Sequence, residues 1–161
     1  MNNQLSIIQQ LSMNQQRGME QQHSMNQQLG QWIELPKITD PRGNLTVVEQ
    51  CKDVHFEIKR AYWVYDVPAG ESRGGHAHKA LHQLLVAMSG SFTVNLDDGF
   101  RKASYLLNHP WEGLLIEPGI WRTLDDFSSG AVCMVLADEL YDESDYIYDY
   151  QDFLAYKASN P

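Results

Sequence analysis

From Trp32 onward, apolar and polar residues alternate over short runs, a period of two that predicts strands rather than helices. Leu45-Thr46-Val47-Val48-Glu49-Gln50 follows the turn sequence Asp40-Pro41-Arg42-Gly43-Asn44. Lys59 to Val67 is β-branched and aromatic and stops at Pro68-Ala69-Gly70. Leu81 to Met88 is a largely apolar strand, and Ser89-Gly90-Ser91 turns it into Phe92-Thr93-Val94-Asn95-Leu96. Asp97-Asp98-Gly99 is a hairpin signal before Arg101 to Leu107. Gly113 to Glu117, Trp121 to Leu124 and Ala131 to Ala137 complete the set. Short strands at regular spacing, punctuated by Gly and Pro, predict an all-β antiparallel sandwich or barrel. One short helix is expected over residues 149–157. The acidic, aromatic tail before it is expected to pack its rings on the barrel and show its acids to water.

Residues 1–31 follow another rule. They are rich in Gln and Asn, and Ser12-Met13-Asn14-Gln15-Gln16 recurs as Ser24-Met25-Asn26-Gln27-Gln28. With thin apolar content and no aromatics, the segment is expected to be a flexible N-terminal extension ahead of a domain spanning 32–161.

Composition narrows the class. A chain of 161 residues with 43% hydrophobic content is most simply one such domain with a core of its own. No apolar run approaches the roughly 20 residues of a membrane span. No basic-then-apolar leader opens the chain, so a cytoplasmic protein is expected. Cys51 and Cys133 sit in or beside strands without metal-type spacing and are expected as free thiols. The net charge of −9 argues against nucleic acid, whose binding leans on excess Lys and Arg. It leaves open a small anionic substrate held by a few local arginines.

The chemistry concentrates in Gly70-Glu71-Ser72-Arg73-Gly74-Gly75-His76-Ala77-His78-Lys79. If the run Ala80 to Met88 continues a strand through His78, His76 and His78 share one face, roughly 7 Å apart. The spacing resembles the first cupin motif, Gly-x5-His-x-His-x4-Glu-x6-Gly: Gly70, His76, His78 and Gly90 fall in place, and Gln83 stands where the carboxylate belongs. Cupins complete a metal site with a histidine near a later Pro-Gly turn. Here Glu117-Pro118-Gly119-Ile120-Trp121-Arg122 puts an arginine there. An amide is a poor ligand and a guanidinium offers no lone pair. Two imidazoles fall short of the three protein ligands typical of catalytic zinc. His82 joins them on one face only if the strand is regular. Proton transfer is therefore the better account of the pair, with no metal and no cofactor expected.

Four segments together resemble the sugar-nucleotide 3,4-ketoisomerases, small cupins that act on dTDP-4-dehydro-6-deoxyglucose. They are Asp40-Pro41-Arg42-Gly43-Asn44-Leu45, Arg73 to Lys79, Pro118-Gly119-Ile120-Trp121, and Glu139-Leu140-Tyr141-Asp142-Glu143-Ser144-Asp145-Tyr146-Ile147. Arg122 is a departure, since relatives commonly carry histidine after the tryptophan. The resemblance implies a jelly-roll cupin and exchange of oxidation state between carbons 3 and 4 through an enediol, the electrons never leaving the sugar. It also implies a homodimer with exchanged N-terminal strands. His76 is the expected base at carbon 3, and His78 the group that returns a proton at carbon 4 or handles the hydroxyl protons. Their ordinary pKa of about 6.5 suits both directions of transfer. Arg73, Lys79, Arg42 and Arg122 are the expected holders of the diphosphate and sugar, with Tyr65, Gln83 and Trp121 beside them. The Arg42-Gly43 pair looks like the branch giving dTDP-3-dehydro-6-deoxygalactose, a precursor of 3-amino-3,6-dideoxygalactose in surface glycans. The competing readings are a sugar-nucleotide 3,5-epimerase, a metal-dependent cupin and a non-catalytic sugar-nucleotide binding module.

Overall fold

The computed structural model describes residues 28–160. Twelve strands run in chain order: β1 (Gln31–Glu34), β2 (Lys37–Asp40), β3 (Gly43–Thr46), β4 (Arg60–Tyr65), β5 (Arg73–His78), β6 (Gln83–Ser89), β7 (Phe92–Asp97), β8 (Lys102–Leu107), β9 (Glu112–Ile116), β10 (Trp121–Asp125), β11 (Val132–Ala137) and β12 (Tyr146–Ile147). Among the described residues one α-helix, α1 (Tyr150–Ser159), follows them; Asp149 caps it by accepting from the N–H groups of Gln151 and Asp152.

The pairing is nested. β7 joins β8 in a hairpin, and around it β6 pairs β9, β5 pairs β10 and β4 pairs β11, all antiparallel. Successive pairs alternate between two five-stranded sheets, ordered β1-β9-β6-β11-β4 and β12-β5-β10-β7-β8. A long hairpin folded over itself in this way is a jelly roll, a form of the antiparallel sandwich that the strand spacing predicts and the fold that the cupin resemblance implies. Leu85, Ala87, Phe92, Val94, Leu96, Leu114, Ile116 and Cys133 form the main core. A second cluster, with Leu35, Val54, Phe56, Leu84, Val86 and Leu136, brings in the segment between β3 and β4. α1 closes one end by burying Phe153 with Ala77 and Ile147. Neither cysteine is in a disulfide; Cys51 is exposed and Cys133 buried.

Three local expectations are corrected. The strand expected over Leu45 to Gln50 stops at Thr46, because β3 pairs only with β2, and that register ends at Lys37 opposite Thr46. The Ala80 to Met88 run does not continue the strand of His78. The Asp145 carbonyl and carboxylate accept the backbone N–H groups of Lys79 and Ala80, and the chain crosses to the other sheet before β6. Thirdly, residues before Trp32 already belong to the fold. Leu29 and Gly30 are buried, and the Tyr105 hydroxyl bonds both the N–H and the carbonyl of Gly30. A Cβ on Gly30 would meet Leu114 and Leu96 side-chain atoms at 2.8 Å, so glycine permits the close approach. The expected flexibility of the earlier extension concerns residues 1–27, which lie outside the described residues.

Candidate active site

Three adjacent strands carry the site. In the register, His76 on β5 lies opposite Arg122 on β10, and His78 lies opposite Tyr146 on β12. Opposed residues on neighbouring strands point to one face, and positions two apart on β5 share it. The expected same-face pair therefore forms within β5 alone: the two imidazole centroids are 4.9 Å apart, nearly edge-to-face at 87°. Gly74, with φ of +85°, sits where β10 shifts register between Arg122 and Thr123. A Cβ there would stand 2.8 Å from the Arg122 carbonyl oxygen. The glycine before the histidines thus lets β5 close on a bulge, a device that re-aims side chains next to sites.

His78 is fully buried, and its Nδ1 donates to Asp145 Oδ2 at 2.9 Å. With the proton held on Nδ1, Nε2 keeps its lone pair. Nε2 is buried and has no hydrogen-bond partner among the described residues. Tyr146 packs on both rings, 4.2 Å from His78 and 5.0 Å from His76, and stacks with Tyr148. A cleft of about 620 Å³ opens here, lined by His78, Arg60, Tyr141, Asp145 and Tyr146 among others. The tail expected to be a solvated rim is therefore part of the site, through Asp145 and Tyr146.

Arg122 is 2% exposed, and all three guanidinium nitrogens lack a hydrogen-bond partner among the described residues. Burial lowers its pKa to about 10, with Tyr62, Tyr146 and Asp145 acting in the opposite sense. It remains a cation at neutral pH, and it acts on its neighbours. His76 is pushed down to about 4, first by burial and then by Arg122, and the same causes push His78 down further. Both imidazoles are neutral at pH 7 and able to accept a proton. Across the barrel, Gln83 Nε2 donates to the Tyr62 hydroxyl at 2.7 Å. Burial raises that phenol to about 12.

The depressed histidines carry a prediction for stability. In the unfolded chain His76 titrates near 6.5, so above that pH its contribution is complete. Below it, the unfolded state binds the proton that the folded state refuses until about pH 4. Stability on the order of 3 kcal/mol from His76 is lost as pH falls through that window. Urea midpoints measured between pH 7 and 5 are expected to fall, and to fall less in His76→Asn.

The remaining expected site residues lie elsewhere. β4 turns Arg60, Tyr62 and Val64 inward and leaves Ala61, Trp63 and Tyr65 exposed, so Tyr65 is replaced in the interior by Tyr62. Trp121 alternates with Arg122 and faces α1, against Tyr150 and Phe153. Arg73 is exposed at the start of β5 and does not line the cleft. Lys79 is exposed and donates to the Ser144 carbonyl at 2.7 Å, holding the tail instead of facing the cleft. Arg42 is paired with Asp40 in the exposed β2–β3 hairpin, outside this cleft. Arg60 does line the cleft, its guanidinium 5.3 Å from the Tyr62 ring and 5.8 Å from the Tyr141 ring.

The sequence profile of the FdtA, WxcM-like C-terminal family matches residues 28–158, nearly all of the described chain. The chain belongs to this family. Among curated relatives, the TDP-4-oxo-6-deoxy-alpha-D-glucose-3,4-oxoisomerase of Aneurinibacillus thermoaerophilus is 46% identical over 126 residues, covering 78% of this chain and 91% of that protein. The crystal structure of a 3,4-ketoisomerase from Helicobacter canadensis superposes with a TM-score of 0.78 at 41% identity, over 80% of this chain and 97% of that one. A histidine-to-asparagine variant of the 3,4-ketoisomerase QdtA from Thermoanaerobacterium thermosaccharolyticum, in complex with TDP-4-keto-6-deoxyglucose, superposes with a TM-score of 0.81 at 36% identity. That match covers 83% of this chain and 97% of QdtA. Family membership and the jelly roll agree with the four segments whose resemblance pointed to both.

Proposed function

We infer that this chain is a 3,4-ketoisomerase of a TDP-4-keto-6-deoxyhexose, working by histidine acid–base chemistry. The observation that carries the reading is the buried Arg122, without a hydrogen-bond partner among the described residues, opposite His76 and beside two neutral imidazoles. A buried cation without a partner is costly, and a developing oxyanion would offset that cost. The relatives with this activity, one of them holding the keto sugar nucleotide, support the substrate class.

The proposed reaction is a balanced proton movement. His76 takes the proton from carbon 3, and the electron pair moves onto the carbon 4 carbonyl oxygen. Arg122 stabilises the resulting enediolate. His78 Nε2 takes the hydroxyl proton from oxygen 3 and returns it at carbon 4 as carbon 3 becomes the ketone, while His76 passes its proton to oxygen 4, so that both imidazoles end neutral. Asp145 keeps the His78 ring in one tautomer and orientation while it cycles. The donors fit this chemistry better than metal binding. The amide of Gln83 is a poor ligand, and a guanidinium beside His76 repels a dication.

The diphosphate meets Arg60 at the cleft, where Lys59 is already paired with Glu139. The β2–β3 hairpin pairs with neither sheet and leaves Ile38 and Leu45 exposed. In this reading it is the segment exchanged in a homodimer, carrying Arg42 toward the partner's cleft. The Arg42-Gly43 pair then goes with the galacto product. Among the described residues no helix is long and apolar enough to cross a membrane, and a nucleotide-linked substrate goes with a cytoplasmic enzyme.

Incubation with dTDP-4-dehydro-6-deoxyglucose, followed by proton NMR, tests the reading. The expected product is the 3-keto sugar with a small coupling between the protons at carbons 4 and 5, as the galacto configuration requires; a large one would mean gluco. Retention of the 4-keto group with epimerisation at carbons 3 and 5 would overturn the assignment.

A further inference from the structure

Outside the cleft, three ligating side chains from separate segments converge. His55 comes from the loop before β4, His82 from the connection between β5 and β6, and Glu117 from the turn between β9 and β10. One ligand atom from each lies within 4.8 Å of the other two. His82 Nε2 is 3.0 Å from Glu117 Oε2, and His55 Nε2 is 3.9 Å from Oε1. The two rings meet edge-to-face, 5.2 Å between centroids. Val54 and Phe56 are buried on either side of His55, which anchors the loop that presents it.

A fourth residue gives the cluster its direction. Asp138 accepts from the His82 backbone N–H at 2.9 Å and from Nδ1 at 2.6 Å. A carboxylate on the far ring nitrogen is the arrangement that orients a metal-binding histidine and raises its basicity. With Nδ1 turned to Asp138, His82 presents Nε2 to Glu117 Oε2, and His55 adds a third donor to the same point.

We propose that His55, His82 and Glu117 bind a divalent transition-metal ion, zinc by their donor chemistry, with Asp138 behind His82. Two imidazoles and one carboxylate, with water in the fourth position, form a set that zinc takes. With bonds of about 2.1 Å, tetrahedral ligand atoms stand roughly 3.4 Å apart, so only the wider gaps must close. The His55 and Glu117 side chains are 52% and 53% exposed and free to turn. None of the three lines the cleft. The ion ties the His55 loop and the Glu117-Pro118-Gly119 turn to the start of β6. Gly119 in that turn donates to the His78 carbonyl at 2.7 Å, so the ion stiffens a support of the catalytic strand instead of joining the chemistry.

The test uses the full chain, free of any affinity tag, stripped with chelator and titrated with Zn²⁺ near neutral pH by calorimetry. One ion per chain and a higher Tm are expected. His55→Ala and Glu117→Gln should each weaken binding by about tenfold or more, as should Asp138→Asn. Cys51→Ser should not, which separates this site from the exposed thiol. His55→Ala should retain the turnover of the metal-free protein. Co²⁺ loading should give the visible bands of a tetrahedral site in the wild type and lose them in His55→Ala. Absence of Zn²⁺ binding, or wild-type affinity in both His55→Ala and Glu117→Gln, overturns the proposal.

Discussion

Replacing His76 or His78 by asparagine is expected to lower kcat by about 10²–10⁴-fold, the range that a positioned acid or base contributes. The two variants should differ in kind. His76→Asn removes the proposed base, so the carbon 3 proton of the substrate should no longer exchange in deuterated water. His78→Asn leaves that base in place, so exchange at carbon 3 should persist while the 3-keto product fails to accumulate. Proton NMR of the substrate reads both in one experiment. Of the two, His78 is the one with a carboxylate on its ring, so Asp145→Asn should resemble a weaker His78→Asn and spare exchange at carbon 3. Near-normal turnover in both histidine variants would remove the mechanism, and the reverse exchange pattern would swap the two roles.

Arg122→Met should separate stability from activity. The guanidinium is buried without a hydrogen-bond partner among the described residues, and Asp145 offsets its desolvation only through space. A methionine of similar length fills the site without a charge. The unliganded protein is therefore expected to gain stability, by about 1–4 kcal/mol if it follows other buried charges replaced by apolar groups. The same change removes the donor proposed for the enediolate, and kcat should fall by about 10²–10³-fold. His76 and His78 should titrate higher once the neighbouring cation is gone, because Arg122 is the second cause of their depression. Urea unfolding and turnover on the same preparations check this. A destabilised variant with normal kcat would mean that Arg122 is a packing residue.

The Glu143–Asp145 turn shows why part of the site was hard to read from the chain. Its segment is acidic and aromatic, a composition that suits a solvated rim, and no local pattern tells Asp145 from Asp142. Asp142 caps this turn by accepting from Ser144, whereas Asp145 takes the His78 ring and the Ala80 backbone. The difference comes from the pairing of β12 with β5, between residues 67 positions apart for His78 and Asp145. Alternation along β4 was legible, but a period of two does not say which parity faces inward. The register with β11 decides that for Tyr62 against Tyr65. Trp121 was an aromatic beside a motif, and the arrival of α1 set its ring against Tyr150 and Phe153.

The sequence by itself determined a sandwich or barrel of short antiparallel strands, the same-face histidines and the absence of a cupin carboxylate at Gln83. Each depends on spacing along one strand or on side-chain chemistry, both of which are local. Only the tertiary structure decided what stands around the pair. It set Arg122 opposite His76, put Asp145 on His78, sent Arg73, Lys79 and Tyr65 outward, and moved His82 away to Asp138 and Glu117. Those relations join residues far apart in the chain, and they follow from strand order and register, which no single segment encodes.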